Sequence, residues 1–398
     1  MQITNKLTRM VSTCLATTTA GALAGDFSDT TTSIKEDAGG GAGDWCESLQ
    51  DIGSLYKNKK NPWIQEIEVY GRVHQQWGYV DGQDNGRDFS GDGDELRRLR
   101  AGTDIEFLDG FTLHAQFNFS NGGFRDTSIR YTDYDDVHLS YDFGDLGSVE
   151  NLTVGYGRYK VGFGGEEWGS SKKIKTIERS NLNNYYAGDR ATGTQVTFEV
   201  NKVDYLLGVY AVDGDDQAIG SFSGDLAYQI AAEFKALNGD FLVQGVFVDS
   251  DGNSRDDSFG YDWAVNVTYE TEIGDFDLFT SATYGEDYNG DAAYGIVVMP
   301  STELIKNKLE AVFRYQWLHS EAQNVDASKS IVQRIAKLDF GGEELPPGDN
   351  NHTFYAGLNY FLCDHNAKAM FGVEYETNDG TVADTEATTV WGALRFYF

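Results

Sequence analysis

Apolar and polar residues alternate with a period of two along most of the chain. Phe111, Leu113, Ala115, Phe117 and Phe119 interleave with Thr112, His114, Gln116, Asn118 and Ser120. Val137, Leu139, Tyr141 and Phe143 interleave with His138, Ser140 and Asp142, and Leu309, Ala311, Phe313, Tyr315 and Trp317 with Glu310, Arg314 and Gln316. Successive side chains of a β-strand point to opposite faces, so each segment has one apolar and one polar face. Such strands either pair their apolar faces in a soluble sandwich or turn them to lipid in a barrel whose polar faces line water. Aromatic residues at the ends of the apolar faces favour the barrel. Tyr261, Trp263, Val265, Val267 and Tyr269 share one face with aliphatics in its middle. Eight steps of about 3.4 Å, tilted by about 40°, reach roughly 21 Å, close to the apolar band between two aromatic girdles.

The connections alternate in length. Short turns are expected at Asp109-Gly110, 144–151, Asn201-Lys202, Asn238-Gly239, 272–275, 300–307 and Asp364-His365. Longer, acidic or Gly-rich connections are expected near 81–94, 121–134, 162–190, 212–225, 249–259, 285–292, 319–351 and 377–387. Together they join about sixteen antiparallel strands, an even number that returns both ends to the periplasmic side. Pro62, Pro300, Pro346 and Pro347 are expected outside strand interiors, where a ladder donor would be lost. Apolar alternation runs through 390–398 to the final carboxylate, and a barrel would close that edge against a first strand over 63–79. The terminal aromatic strand also resembles the sorting signal of Gram-negative outer-membrane barrels. The fold class is therefore all-β, a transmembrane antiparallel β-barrel over 63–398 with a short N-terminal helical segment.

Two segments precede the barrel. Lys6 and Arg9, a weakly apolar run over 10–22 and Ala22-Leu23-Ala24 fit an export signal over 1–24. Residues 25–62 read as a flexible leader, in which Trp45, Leu49, Ile52 and Tyr56 recur at helical spacing behind Asp44 as N-cap. A helix that short is unstable alone and is expected to dock on the barrel end or on copies of itself. Cys46 and Cys363 fit two readings, a bridge formed in an oxidising compartment or two isolated small apolar side chains.

Composition narrows the chemistry. With 31 Lys+Arg against 63 Asp+Glu the net charge is −32, which argues against a nucleic-acid partner. Aromatics at 14% are too frequent for a disordered chain. The six histidines are scattered, and no nucleophile elbow, phosphate loop or His-Glu-x-x-His stands in the chain. No catalytic residue, cofactor or metal site is expected. Asp249-Ser250-Asp251-Gly252-Asn253 opens like a calcium loop, but Ser254 and Gly260 stand where that loop needs Gly and Glu.

Three stretches resemble the phosphate-selective porin O/P family of Gram-negative outer membranes: residues 96–102 (Leu-Arg-Arg-Leu-Arg-Ala-Gly), residues 136–160, and residues 169–193 with Ser170-Ser171, Glu178-Arg179-Ser180 and Gly188-Asp189-Arg190. The resemblance implies a homotrimeric, sixteen-stranded, water-filled channel for passive diffusion of small hydrophilic solutes. It also implies a third long loop, about 162–190, folded into the pore, where cationic side chains attract anions such as phosphate. Independently of the resemblance, residues 157–190 are the longest connection in the N-terminal half and the only sizeable net-positive segment of the barrel. Residues 157–190 hold Arg158, Lys160, Lys172, Lys173, Lys175, Arg179 and Arg190 against Glu166, Glu167, Glu178 and Asp189. Strand parity adds Arg72, Arg98 and Arg100 to the polar face and puts Arg97 on the lipid face. Guanidinium forks suit phosphate oxygens, yet the same cations also fit a structural network with lumenal carboxylates. Acidic loops carrying Asp213, Asp215, Asp216, Asp249, Asp251, Asp256 and Asp257 support two alternatives. One is a general or cation-preferring porin; the other is a structural or adhesive surface barrel whose loops bind divalent cations.

Overall fold

The computed structural model describes residues 45, 46, 49, 52–120, 123, 125, 127–188, 190–212, 225–249, 259–328 and 331–398. The expected export signal and the acidic loop residues Asp213, Asp215, Asp216, Asp251, Asp256 and Asp257 lie outside them.

A short strand, β1 (Ser54–Lys57), precedes sixteen long ones. These are β2 (Ile64–Asp84), β3 (Arg87–Phe107), β4 (Phe111–Asn118), β5 (Asp133–Leu146), β6 (Val149–Lys160), β7 (Arg190–Val200), β8 (Val203–Ala211) and β9 (Leu226–Ala236). They continue as β10 (Gly239–Asp249), β11 (Trp263–Ile273), β12 (Phe276–Glu286), β13 (Ala292–Ile305), β14 (Leu309–Ser320), β15 (Asn350–Cys363), β16 (Ala367–Asp379) and β17 (Asp384–Tyr397). Each pairs antiparallel with its sequence neighbour, and β17 pairs with β2 from Thr385↔Asp84 to Tyr397↔Arg72, so the sheet closes into a sixteen-stranded barrel.

Alternation decides the faces. On β11, Val265 and Val267 are exposed on the outer wall, whereas Ala264, Asn266 and Thr268 are buried on the inner one. Aromatic side chains gather on the outside at both ends of the barrel: Phe107, Phe111, Tyr141 and Phe143 contact one another near the periplasmic turns, and Trp263, Tyr284, Tyr294 and Trp317 near the opposite end. Inside, the Tyr355 ring lies so close over Gly357 and Gly372 that a Cβ on either would sit 2.4 Å from its hydroxyl, so only glycine admits it there.

Five expectations are corrected. The connection expected over 81–94 is a two-residue turn: Asn85 and Gly86 take φ of 51° and 74°, the left-handed pair of a tight hairpin turn, and β2 and β3 stay paired up to it. Pro300 lies within β13; it keeps its register with Leu278, while the β13–β14 register skips from Val298 to Ser301, which spares the missing donor. Tyr261 precedes β11 and turns inward, buried against Phe163, Tyr186 and Phe259, so Trp263 heads the outer face alone. Arg97 is the extra residue of a bulge between His74↔Arg98 and Gln75↔Leu96 and points inward rather than to lipid. In the leader, Trp45, Cys46 and Leu49 are helical, but Ile52 is in a turn and Tyr56 in β1, so the helical face ends earlier than its spacing suggests. Cys46 and Cys363, open in the sequence, are bridged.

Candidate functional site

The long connection after β6 crosses the lumen. Gly162 accepts hydrogen bonds from Gln229 on β9 (2.7 Å) and Gln244 on β10 (2.9 Å), whereas Ser171 Oγ accepts from Arg72 Nη1 on β2 at 2.6 Å. β10 and β2 are eight positions apart in a ring of sixteen, so these two ends of the segment rest on opposite walls. Two short helices shape it, α1 (Gly165–Trp168) and α2 (Asn181–Tyr186); Ser180 caps α2 by accepting from Asn183 N. Phe163, Leu182 and Tyr186 bury their rings and branches among Tyr210, Tyr261, Val246 and Ala264. Each such side chain contributes about 2 kcal/mol of burial.

Cations of this segment are held by carboxylates. Lys160 Nζ meets Glu167 Oε1 at 2.8 Å, and Arg179 Nη1 meets Glu167 Oε2 at 3.0 Å. Lys175 Nζ sits 2.8 Å from Glu310 and 3.1 Å from Asp277, and Arg190 Nη2 2.7 Å from Asp135. Lys172 is buried with its ammonium over the rings of Tyr397 (5.0 Å) and Tyr70 (5.7 Å), a cation–π arrangement. Lys173 is half-buried, and Arg158 is buried on β6. Burial pushes the Glu167 carboxyl up, but Arg179 and Lys160 outweigh it and hold it at about 2. Burial likewise opposes Glu178, and Arg97 and Arg98 bring it to about 2.

The three strand arginines form part of a wider basic wall. Register places Lys368, Arg395, His74 and Arg98 in one row across β16, β17, β2 and β3. The next row runs Tyr397, Arg72, Arg100 and Asn118 across β17 to β4. Arg100 is engaged, by Asp135 (2.7 Å) and Asn118 (2.8 Å). Arg395 and Lys368 donate to the loop carbonyls Ile177 O (2.6 Å) and Ile174 O (2.7 Å). Arg314 on β14 binds Glu166 (3.1 Å) and Glu374 (2.8 Å). Arg98 differs from the other nine candidate cations: among the described residues it makes no ion pair, and its buried Nη1 has no hydrogen-bond partner. Both ring nitrogens of its neighbour His74 also lack a hydrogen-bond partner among the described residues, as do Arg395 Nε and Nη1.

Strand parity could have found Arg314, Arg395 and Lys368, each flanked by two outward apolar residues, but only register joins the latter two to Arg98. Two further features were missed. An acidic row, Glu150, Glu199, Asp204 and Glu233, crosses β6 to β9 on the inner wall, where Trp168 Nε1 donates to Glu233 at 2.6 Å. In addition, α3 (Val332–Asp339), in the 321–349 connection, packs Ile331, Val332 and Ile335 on Val80, Phe89, Ile177 and Trp391. Its apolar residues recur at helical spacing, the signal that was there to read.

Among known proteins, the family model described as phosphate-selective porin O and P matches residues 67–303. The chain belongs to that family. A comparison with curated protein sequences found no match. Solved structures share the fold at low identity: the outer membrane channel DcaP of Acinetobacter baumannii (15% identity, TM-score 0.54, 86% of this chain and 100% of that one). OmpF of Salmonella typhi, solved with daunomycin, gives 14%, 0.53, 87% and 100%, and a loop-deleted OmpT, an outer membrane protein of Vibrio cholerae, gives 12%, 0.52, 83% and 99%. The family and the closed sixteen-stranded barrel make this porin an outer-membrane channel.

Proposed function

We propose that the porin passes small hydrophilic solutes by passive diffusion, prefers anions, phosphate among them, and does no catalysis. The observation that carries this reading is the row Lys368, Arg395, His74 and Arg98, which sets three cationic side chains close together on the inner wall, Arg98 among them with no ion pair among the described residues. A few focused cations bias passage even through an acidic protein, since the field near the pore wall is screened over only about 8 Å. Lys160, Lys172, Lys175, Arg179 and Arg190 serve this reading indirectly: the three lysines fix the loop against the wall, Arg179 braces the loop through Glu167, and Arg190 pairs with Asp135 within the wall. Arg72, Arg100, Arg158 and Lys173 add to the positive potential around it.

Reversal potentials in a salt gradient test the proposal. The wild-type channel is expected to reverse on the anion side, and Arg98→Glu to move it toward cations. An unchanged reversal potential in Arg98→Glu would remove the role of that row. The acidic row through Glu199, Asp204 and Glu233 favours a second reading, a general or cation-preferring pore. A wild-type reversal on the cation side that Glu233→Gln weakens would establish it. Negligible conductance would return the surface-barrel reading. Family membership supports a homotrimer, to be checked by the size of the detergent-solubilised protein.

A further inference from the structure

The disulfide joins Cys46, before the barrel, to Cys363, at the periplasmic end of β15, across 317 residues of sequence. From Gly53 to β2 the leader runs along the edge that β17 leaves open. Phe398 and Gly71 exchange backbone hydrogen bonds of 3.2 Å, the next outward-facing residue of β2, Val69, donates to Gly53 O at 2.8 Å, and β1 then pairs with Glu66, Ile67 and Glu68. Lys57 and Lys59 clamp that hairpin through Glu66 and Glu106. The leader is thus fixed to β2 on one side and covalently to β15 on the other. These two attachments lie on either side of β16 and β17, and so of the β17–β2 seam that closes the barrel.

We propose that the Cys46–Cys363 bond is a closure lock, formed only after β17 has paired with β2 and thereafter resisting the opening of that seam. The reach of the chain is the reason. Eight Cα-to-Cα steps separate Cys46 from Ser54, the start of β1, and span at most about 28 Å when fully extended. In a sheet not yet closed, β2 and β15 lie thirteen strand spacings apart, roughly 60 Å. Closure brings them within three spacings. Each cysteine gives up one proton, and together they give up two electrons to the disulfide of an oxidant, whose S–S bond breaks and whose two sulfurs take up the protons and leave as thiols. In an oxidising compartment that exchange runs forward, so the bond marks barrels that have closed.

Refolding the full reduced chain into detergent micelles in the presence of oxidised glutathione tests this. Closure is read by heat-modifiable gel migration, and free thiols by maleimide-polyethylene-glycol labelling. With Cys14→Ser leaving two cysteines, and glutathione mixed disulfides told from the internal bond by mass, the expected result is a Cys46–Cys363 bond confined to the closed fraction, while the same chain in urea keeps both cysteines out of that bond. Equal rates of bond formation in urea and in micelles would overturn the proposed order. The folded, oxidised protein should keep its compact migration to a higher temperature than the same protein reduced and alkylated after folding, and Cys46→Ser and Cys363→Ser should match the reduced form. Coincident midpoints would overturn the lock. Alkylation after folding keeps the comparison open even if a serine variant fails to fold.

Discussion

At the scale of single residues, position on a face decides what a charge can do. Asn266 and Val267 are neighbours in sequence, yet one is buried inside and the other faces lipid. An arginine at Val267 is expected to cost about 2–4 kcal/mol of insertion, and an arginine at Asn266 far less; folding titrations into lipid vesicles check the contrast. Glu178 offers a second handle, since it holds Arg97 at 2.9 Å and accepts from Gln76 at 2.6 Å. Glu178→Gln removes a negative charge beside Arg98, so it should move the reversal potential further toward anions and make residues 171–180 more accessible to trypsin. The lumen assignments of Arg72, Arg98 and Arg100 were legible from parity alone. Arg97 was not, because a bulge inverts parity and leaves no mark in the local pattern. Nor were Lys368 and Arg395 as neighbours of Arg98, because they come from the far end of the chain and meet it only through register across the closing seam.

At the scale of elements, strands read well where both faces have a solvent to choose between. The alternation of β4, β5, β11 and β14 survives in the structure because one side meets lipid and the other the lumen. It fails where the chain leaves the bilayer. Residues 81–94 look like a loop because nothing selects apolar residues there, and only Asn85-Gly86 betrays the hairpin. Tyr261 reads as a girdle residue but finds an inner aromatic cluster around the docked loop. That loop is held by ion pairs whose carboxylates, Glu167 and Glu178, lie near pH 2, below the usual carboxylate range. A lowered value stabilises the docked state above the ordinary carboxylate range and loses that stability as pH falls toward 2. Conductance should therefore hold steady from pH 7 down to about pH 5 and change only on further acidification; a step near neutral pH would point to other groups. Phe163→Ala, which empties part of the loop's apolar footing, is expected to cost about 3–5 kcal/mol locally and to make channel currents noisier in single-channel records. Replacing α3 by a flexible linker should raise conductance at the extracellular side without reversing its sign of selectivity.

At the scale of the whole molecule, the fold follows from one allocation of surfaces. Apolar side chains cover the outside between the aromatic groups at its two ends, polar side chains line the inside, and first and last strands pair so that no edge is left. Sixteen strands are too many for wall side chains alone to fill the interior, and the docked loop and α3 narrow the space that remains. The charge inside is divided, with a basic wall over β16 to β3 and an acidic row over β6 to β9, while the chain as a whole carries −32. Single-channel recording of the wild-type porin in a planar bilayer, under a salt gradient, tests the central claim most directly. Discrete conductance steps with a reversal potential on the anion side are predicted. A purified, heat-modifiable barrel that inserts and yet gives no steps would contradict the account.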